Sequence, residues 1–242
     1  MTFKAFILGM LATFGLPWLF AIVLPFAEMR GLESPQLDEE GGYYDPGRAE
    51  RISEGSKVYG QEGCAVCHSQ VVRPTYAGWD VHRGEWAGLR ASPDQPDDTR
   101  RETLPSDYFD EAVAHIGEAR NGPDLSNFGR RVEFYQKGKE ISAEHWVYLH
   151  LYNPRGVKNY KDDQFIPAKS TCPSKRSLFD QVPLYQAGDD ALALEADEEG
   201  FAVIPNDRGR RLVGYLLSLK KDTFGQPLPK DWTFTREAPK AE

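Results

Sequence analysis

Apolar positions divide the chain into one unbroken block and a long remainder in which they recur periodically. From Ala5 to Ala27 the sequence AFILGMLATFGLPWLFAIVLPFA carries no charged residue. At about 1.5 Å per residue such a helix reaches roughly 35 Å, enough to cross a hydrocarbon core of about 30 Å. A cleaved signal peptide would have a shorter apolar region, and no good small-x-small cleavage site precedes Glu28. Pro17 and Pro25 predict a kink or an end, which bilayer-spanning helices tolerate better than soluble ones. Lys4 precedes the block, and Glu33, Asp38, Glu39 and Glu40 follow it. The positive-inside rule then puts the amino terminus in the cytoplasm and the rest outside, although Arg30 counts against this.

Beyond the anchor, a helix is predicted from about Pro46 to Gln61, with Ile52, Ser56 and Tyr59 on one face. Gly55 on this helix permits close crossing by another. A second helix is predicted from Asp207 to Lys221, capped by Asn206, with Leu212, Tyr215, Leu216 and Leu219 as its apolar stripe. A short strand-like run, Phe201 to Ile204, leads into it. The stretch from 91 to 110 is rich in proline and charge and reads as an extended surface excursion. The acidic stretch from 188 to 200 reads as a solvated loop. These patterns predict an anchor over 1–30, a linker over 31–47, a domain over 48–224 and a flexible tail over 225–242.

Composition changes this picture in two respects. Net charge is −8, which disfavours nucleic acid as a partner, because phosphate binding needs a basic face. Only 40% of residues are hydrophobic, yet 12% are aromatic and 17 are proline, a mixture that suits a loop-rich domain wrapped around a large apolar object. Three cysteines cannot form a closed disulfide framework.

Two of those cysteines lie in Gly63-Cys64-Ala65-Val66-Cys67-His68, which contains C-x-x-C-H, the attachment pattern of c-type haem. Thiols one helical turn apart can each add to a vinyl group of one porphyrin, and His68 then reaches the iron. A zinc site would need a second ligand pair at similar spacing, and a thioredoxin-like dithiol would need a surrounding βαβ pattern; neither is present. Amino- and carboxy-terminal helices crossing beside such a motif look like a class I cytochrome c fold, with Gly55, Tyr59 and Tyr215 at the crossing. The alternative is that both are amphipathic surface helices. The expected fold is mainly α, with one transmembrane helix and a class I cytochrome c-like domain carrying long insertions.

Several motifs together resemble one family, the membrane-anchored monohaem subunit (subunit II) of cbb-type cytochrome c oxidases. They are CHSQVVRP (Cys67 to Pro74), RRET (Arg100 to Thr103), GPDLSNFG (Gly122 to Gly129), HLYNPR (His150 to Arg155) and the final RRLVGYLLSL. The resemblance implies one covalent haem c and the bacterial inner membrane, with the haem domain on the periplasmic side. It also implies electron transfer from another c-type cytochrome to the haem-copper catalytic subunit that reduces oxygen. Arg73 could reach a haem propionate, and Gly122-Pro123 would bring backbone beneath the ring edge; turn chemistry or a surface ion pair would equally explain them. Tyr76, Trp79 and Trp86 could cover the haem edge, contact a partner or pack into the core.

The resemblance also implies a methionine before a proline as second axial ligand. The chain has only Met1, Met10 and Met29, and the expected place reads Ser170-Thr171-Cys172-Pro173. Cys172 could ligate the iron as thiolate, or be a small buried hydrophobe while His82, His115 or His145 ligates. His150 is the least attractive, since the family has a histidine there even beside methionine. Five-coordinate iron is a third option. Rival functions are the small subunit of a nitric oxide reductase and a haem enzyme or sensor in which Cys/His ligation is functional.

Overall fold

The computed structural model describes residues 2–31, 50–94, 96, 98–108, 111–156, 170–188, 192 and 199–221. About half of the described residues are helical, and the chain separates into two units. One contains the amino-terminal segment to Tyr44, and the other runs from Asp45 to Phe224. The linker before residue 50, the carboxy-terminal tail and most of the acidic 188–200 stretch lie outside the described residues.

Helix α1, Phe3–Met29, is long and apolar enough to cross a membrane. It outlasts both internal prolines. Each proline removes a backbone donor and crowds the carbonyl four residues earlier. Wider π-helical turns at Leu11–Gly15 and Leu19–Val23 contain those carbonyls, of Thr13 and Ala21, and the helix continues.

In the second unit, α2 (Glu50–Gln61) crosses α7 (Asp207–Ser218). Gly55 makes the approach possible: a Cβ there would meet the Arg211 carbonyl and lie 2.7 Å from the Tyr215 Cβ. Tyr59 and Tyr215 pack beside it with ring centroids 5.6 Å apart, both fully buried. The expected crossing residues therefore meet. Asn206 caps α7 by accepting from the Gly209 amide at 3.0 Å. The helix ends at Ser218, three residues short of the expected Lys221. There the chain turns extended, and the Leu219 carbonyl accepts from Gly129 while Lys221 donates to Ser126.

Two more helices, α4 (Phe128–Gln136) and α5 (Ala143–Tyr152), complete the helical packing, with the short α3 (Cys64–Cys67) at the end of α2. The core joins Val58, Val132, Val147, Leu151, Leu212, Val213 and Leu216 from these elements. Each large apolar side chain so buried contributes about 1.5–3 kcal/mol. Strand β1 (Phe179–Pro183) pairs antiparallel with β2 (Phe201–Pro205), and the turn α6 (Leu184–Ala187) follows β1. Phe179–Pro183 has two outward polar residues and a closing proline, which hid it in the sequence. Leu192 is buried and bridges Val203, so the acidic stretch is pinned at this point rather than wholly solvated.

The 91–110 excursion is only partly a surface loop. Its second half folds back, with Thr99 and Arg101 donating to the Leu89 and Ala87 carbonyls and Thr103 donating to Val72. Arg101 and the buried Asp107 form a two-pronged ion pair, with contacts of 2.8 and 2.5 Å.

Candidate functional site

Gly63 ends α2 in the left-handed region at φ +70°, which redirects the chain into the single turn Cys64–Cys67. The turn places the two thiols one helical repeat apart, both half-buried. Burial pushes the Cys64 thiol up to about 11, against the pull of the Lys175 charge. His68 then leaves the helix in an extended conformation, with its amide held by the Cys64 carbonyl at 2.9 Å.

The residues after Cys64 pair along the segment from 116 to 125. Ala119 donates to Val66, Gly122 to Cys67 and Leu125 to Ser69, while Gln70 donates to Ile116. Asp124, fully buried, accepts from the Ser69 hydroxyl at 2.6 Å and the Val71 amide at 3.0 Å, and its other oxygen accepts from the Ser126 amide. Gln70 is held from both sides, its carbonyl accepting from Tyr108 and its side chain from Tyr215 of α7. The CHSQ and GPDL motifs are thus one hydrogen-bonded unit.

This pairing fixes His68. Its Nδ1 lies 2.8 Å from the Pro123 carbonyl oxygen, which can only accept, so Nδ1 carries the proton. Nε2 is left with its lone pair and no hydrogen-bond partner among the described residues. Gly122 lies flat against the imidazole: a Cβ there would stand 2.5 Å from Nδ1 and 3.0 Å from Nε2. Burial lowers the His68 pKa, partly opposed by the Pro123 contact, and this keeps the ring in the neutral form that ligates metal.

Among the described residues no group of three or more His, Cys, Asp or Glu could hold a bare metal ion. The donor set instead fits a haem: two thiols at one-turn spacing, an adjacent imidazole whose Nδ1 is occupied and whose Nε2 is free, and a glycine against the ring. Backbone acceptors that orient a ligating histidine through its second nitrogen are a general feature of metal sites.

Arg73 forms an ion pair, one of the two readings its position allowed. Its guanidinium meets the fully buried Asp80 through Nε at 3.1 Å and Nη2 at 3.2 Å, and its amide meets the same carboxylate at 2.9 Å. Arg120 adds a third cationic contact at 2.6 Å. Burial alone would raise the Asp80 pKa, but the Arg73 and Arg120 hydrogen bonds prevail and lower it. Asp80, Arg120 and Asp124 were not singled out in the sequence, although Asp124 lies inside the GPDL motif and faces Ser69 of CHSQ. Trp86 is half-buried beneath the Arg83 and Arg120 guanidinium groups, at 4.1 and 5.2 Å. Tyr76 and Trp79 stand 92% and 69% exposed, so neither is a core residue.

The candidate axial residues separate. His82 is exposed, its ring tilted against Trp79 with centroids 5.6 Å apart. His115 is buried in the helix crossing, where its ring meets the Ser56 hydroxyl and carbonyl at 2.9 and 3.1 Å and the Tyr59 ring edge-on. His145 lies in the first turn of α5. His150, in the last turn of α5, lies stacked on Trp146. Burial pushes the His150 pKa down to about 4. Cys172 feels the Cys67 thiol; burial raises its pKa, while the Lys175 and Arg155 charges pull the other way.

Neither a protein-family model nor a curated protein matches this chain in the comparisons made.

Proposed function

We propose that the chain carries one covalent haem c on Cys64 and Cys67, with His68 as an axial ligand, in a class I cytochrome c-like domain. Its function on this reading is that of the monohaem subunit of a cbb-type oxidase. The observation that carries the haem assignment is the His68–Pro123 contact, which occupies Nδ1 and leaves Nε2 available beside two thiols of attachment spacing. The crossing of α2 and α7 at Gly55 supports the domain type.

A bound haem supplies reversible one-electron exchange at its iron. The protein's own part is to hold it. Cys64 and Cys67 fix the ring covalently, Pro123 sets the His68 tautomer, Gly122 lets the backbone lie against the imidazole, and Asp124 ties both motifs together. A chain whose only redox group is one haem relays single electrons and does not itself reduce oxygen. Helix α1 anchors it in the bacterial inner membrane with the second unit on the periplasmic side, which raises the local concentration of a membrane-embedded catalytic partner. The donor is another c-type cytochrome.

The test is oxygen consumption with a reduced c-type cytochrome as donor. The purified chain alone is expected to be inactive, and a haem-copper subunit co-purified with it is expected to restore turnover that Cys64→Ser/Cys67→Ser removes. Oxygen reduction by the isolated chain would overturn the relay reading in favour of a haem enzyme.

A further inference from the structure

Three aspartates among the described residues are buried, and they are not alike. Asp80 meets Arg73 and Arg120, and Asp107 meets Arg101. Asp124, fully buried, forms no ion pair among the described residues. An interior carboxylate without a cation is costly to keep, so its contacts decide what it is for.

Every group that meets its oxygens is a donor. The Ser69 hydroxyl at 2.6 Å and the Val71 amide at 3.0 Å share Oδ2, and the Ser126 amide meets Oδ1 at 2.8 Å. Two of these are amides, which only donate, so a proton on the carboxyl would displace a bond already made. The set favours the anion. The Arg131 guanidinium donates to the main-chain carbonyl of Asp124, at 3.2 Å, and leaves the carboxylate to the three donors.

This charge adjoins His68 along both of the paired segments. Ser69, its hydroxyl donor, follows His68 in the chain. Pro123, whose carbonyl oxygen lies 2.8 Å from His68 Nδ1, precedes Asp124. The Leu125 amide donates to the Ser69 carbonyl at 2.8 Å and closes the pairing on the far side. Gly117, at φ +95°, packs against the same turn, where a Cβ would collide with the Ser69 Cα and the His68 carbonyl. The carboxylate therefore has little freedom to move away from the imidazole, and its buried surroundings screen it less than water would.

We infer that Asp124 is a positioning residue for the His68 imidazole, and that its buried charge stabilises the oxidised form of the haem that His68 ligates. This rests on the proposed haem. Ferric iron in a porphyrin carries one more positive charge than ferrous iron. A fixed anion beside the ligating histidine favours the ferric form and lowers the reduction potential. Holding Pro123 against Nδ1 acts in the same direction, because a histidine hydrogen-bonded through its second nitrogen is the stronger donor to a metal. One electron enters or leaves, and no bond of the protein is made or broken. In the relay, Asp124 thus helps to set the level at which the chain accepts its electron.

The test is a spectroelectrochemical titration of the full chain in detergent with its covalent haem. Wild type is compared with Asp124→Asn, Asp124→Ser and Ser69→Ala, each also measured for its urea midpoint. Both neutral variants at 124 are expected to raise the midpoint potential by a three- to tenfold shift of the reduction equilibrium, tenfold being about 59 mV for one electron. Ser69→Ala keeps the charge and loses one of its holding bonds, so it is expected to lower the urea midpoint with a potential within twofold of wild type. Potentials within twofold of wild type at 124, or an equal rise in Ser69→Ala, overturn the role of the charge. Loss of haem from both variants at 124 makes the role structural and overturns it too. A wild-type chain with no covalent haem overturns instead the haem reading on which the inference rests.

Discussion

The Nδ1 of His68 lies 2.8 Å from the carbonyl oxygen of Pro123, a contact between residues 55 positions apart. It sets the tautomer of the histidine that follows the two thiols and requires that the backbone at Gly122 lie against the ring. A methyl group at Gly122 would collide with that imidazole. Gly122→Ala is therefore expected to cut the yield of haem-bearing protein several-fold and to perturb the visible spectrum of what remains. Gly214→Ala is the control, because a Cβ there meets nothing within 4 Å, and in α7 it should stabilise by up to about 1 kcal/mol.

The crossing of α2 and α7 has no room for a side chain at Gly55, where a Cβ would strike the Arg211 backbone carbonyl. Backbone cannot move aside as a flexible side chain can. Gly55→Ala should destabilise by about 1–3 kcal/mol, read as a lower urea midpoint for the loss of helical circular dichroism.

Asn206 receives the Gly209 amide and is the cap that starts α7. Asn206→Ala should cost about 1 kcal/mol by the same measurement, and Asn206→Ser or Asn206→Asp should restore most of it.

These elements were readable because each is local or compositional. Asn206 precedes an apolar stripe, Gly55 sits on a periodic helix face, and Ala5 to Ala27 has no charge. What escaped the sequence depends on pairing between distant segments. β1 is a strand only because β2 lies beside it, and Asp124 has meaning only once Ser69 and Val71 face it. An ion pair was one of the readings open for Arg73, but its partner was not legible, because nothing local announces that Asp80 is buried seven residues away. The continuation of α1 past Pro17 and Pro25 depended on π-turns that composition does not reveal.

Asp80 makes acid stability testable. Its folded pKa is lowered despite burial, because Arg73 and Arg120 hold the charged form. A carboxyl with a depressed folded pKa stabilises the fold above its unfolded value, and this contribution disappears as pH falls through the folded one. The melting temperature should fall as pH drops below the ordinary aspartate range, and Asp80→Asn should flatten that dependence while lowering stability at neutral pH. An Asp80→Asn profile parallel to wild type would assign the acid sensitivity to other carboxyls.

Covalent attachment of haem is the central claim, and intact mass spectrometry after denaturation measures it most directly. The chain is produced with a c-type maturation system, alongside Cys64→Ser, Cys67→Ser and His68→Ala. The account predicts one haem mass on the wild-type chain, haem held by at most one thioether in either cysteine variant, and no stable holoprotein for His68→Ala. A wild-type chain at its polypeptide mass, or full two-thioether attachment after Cys64→Ser, would contradict it.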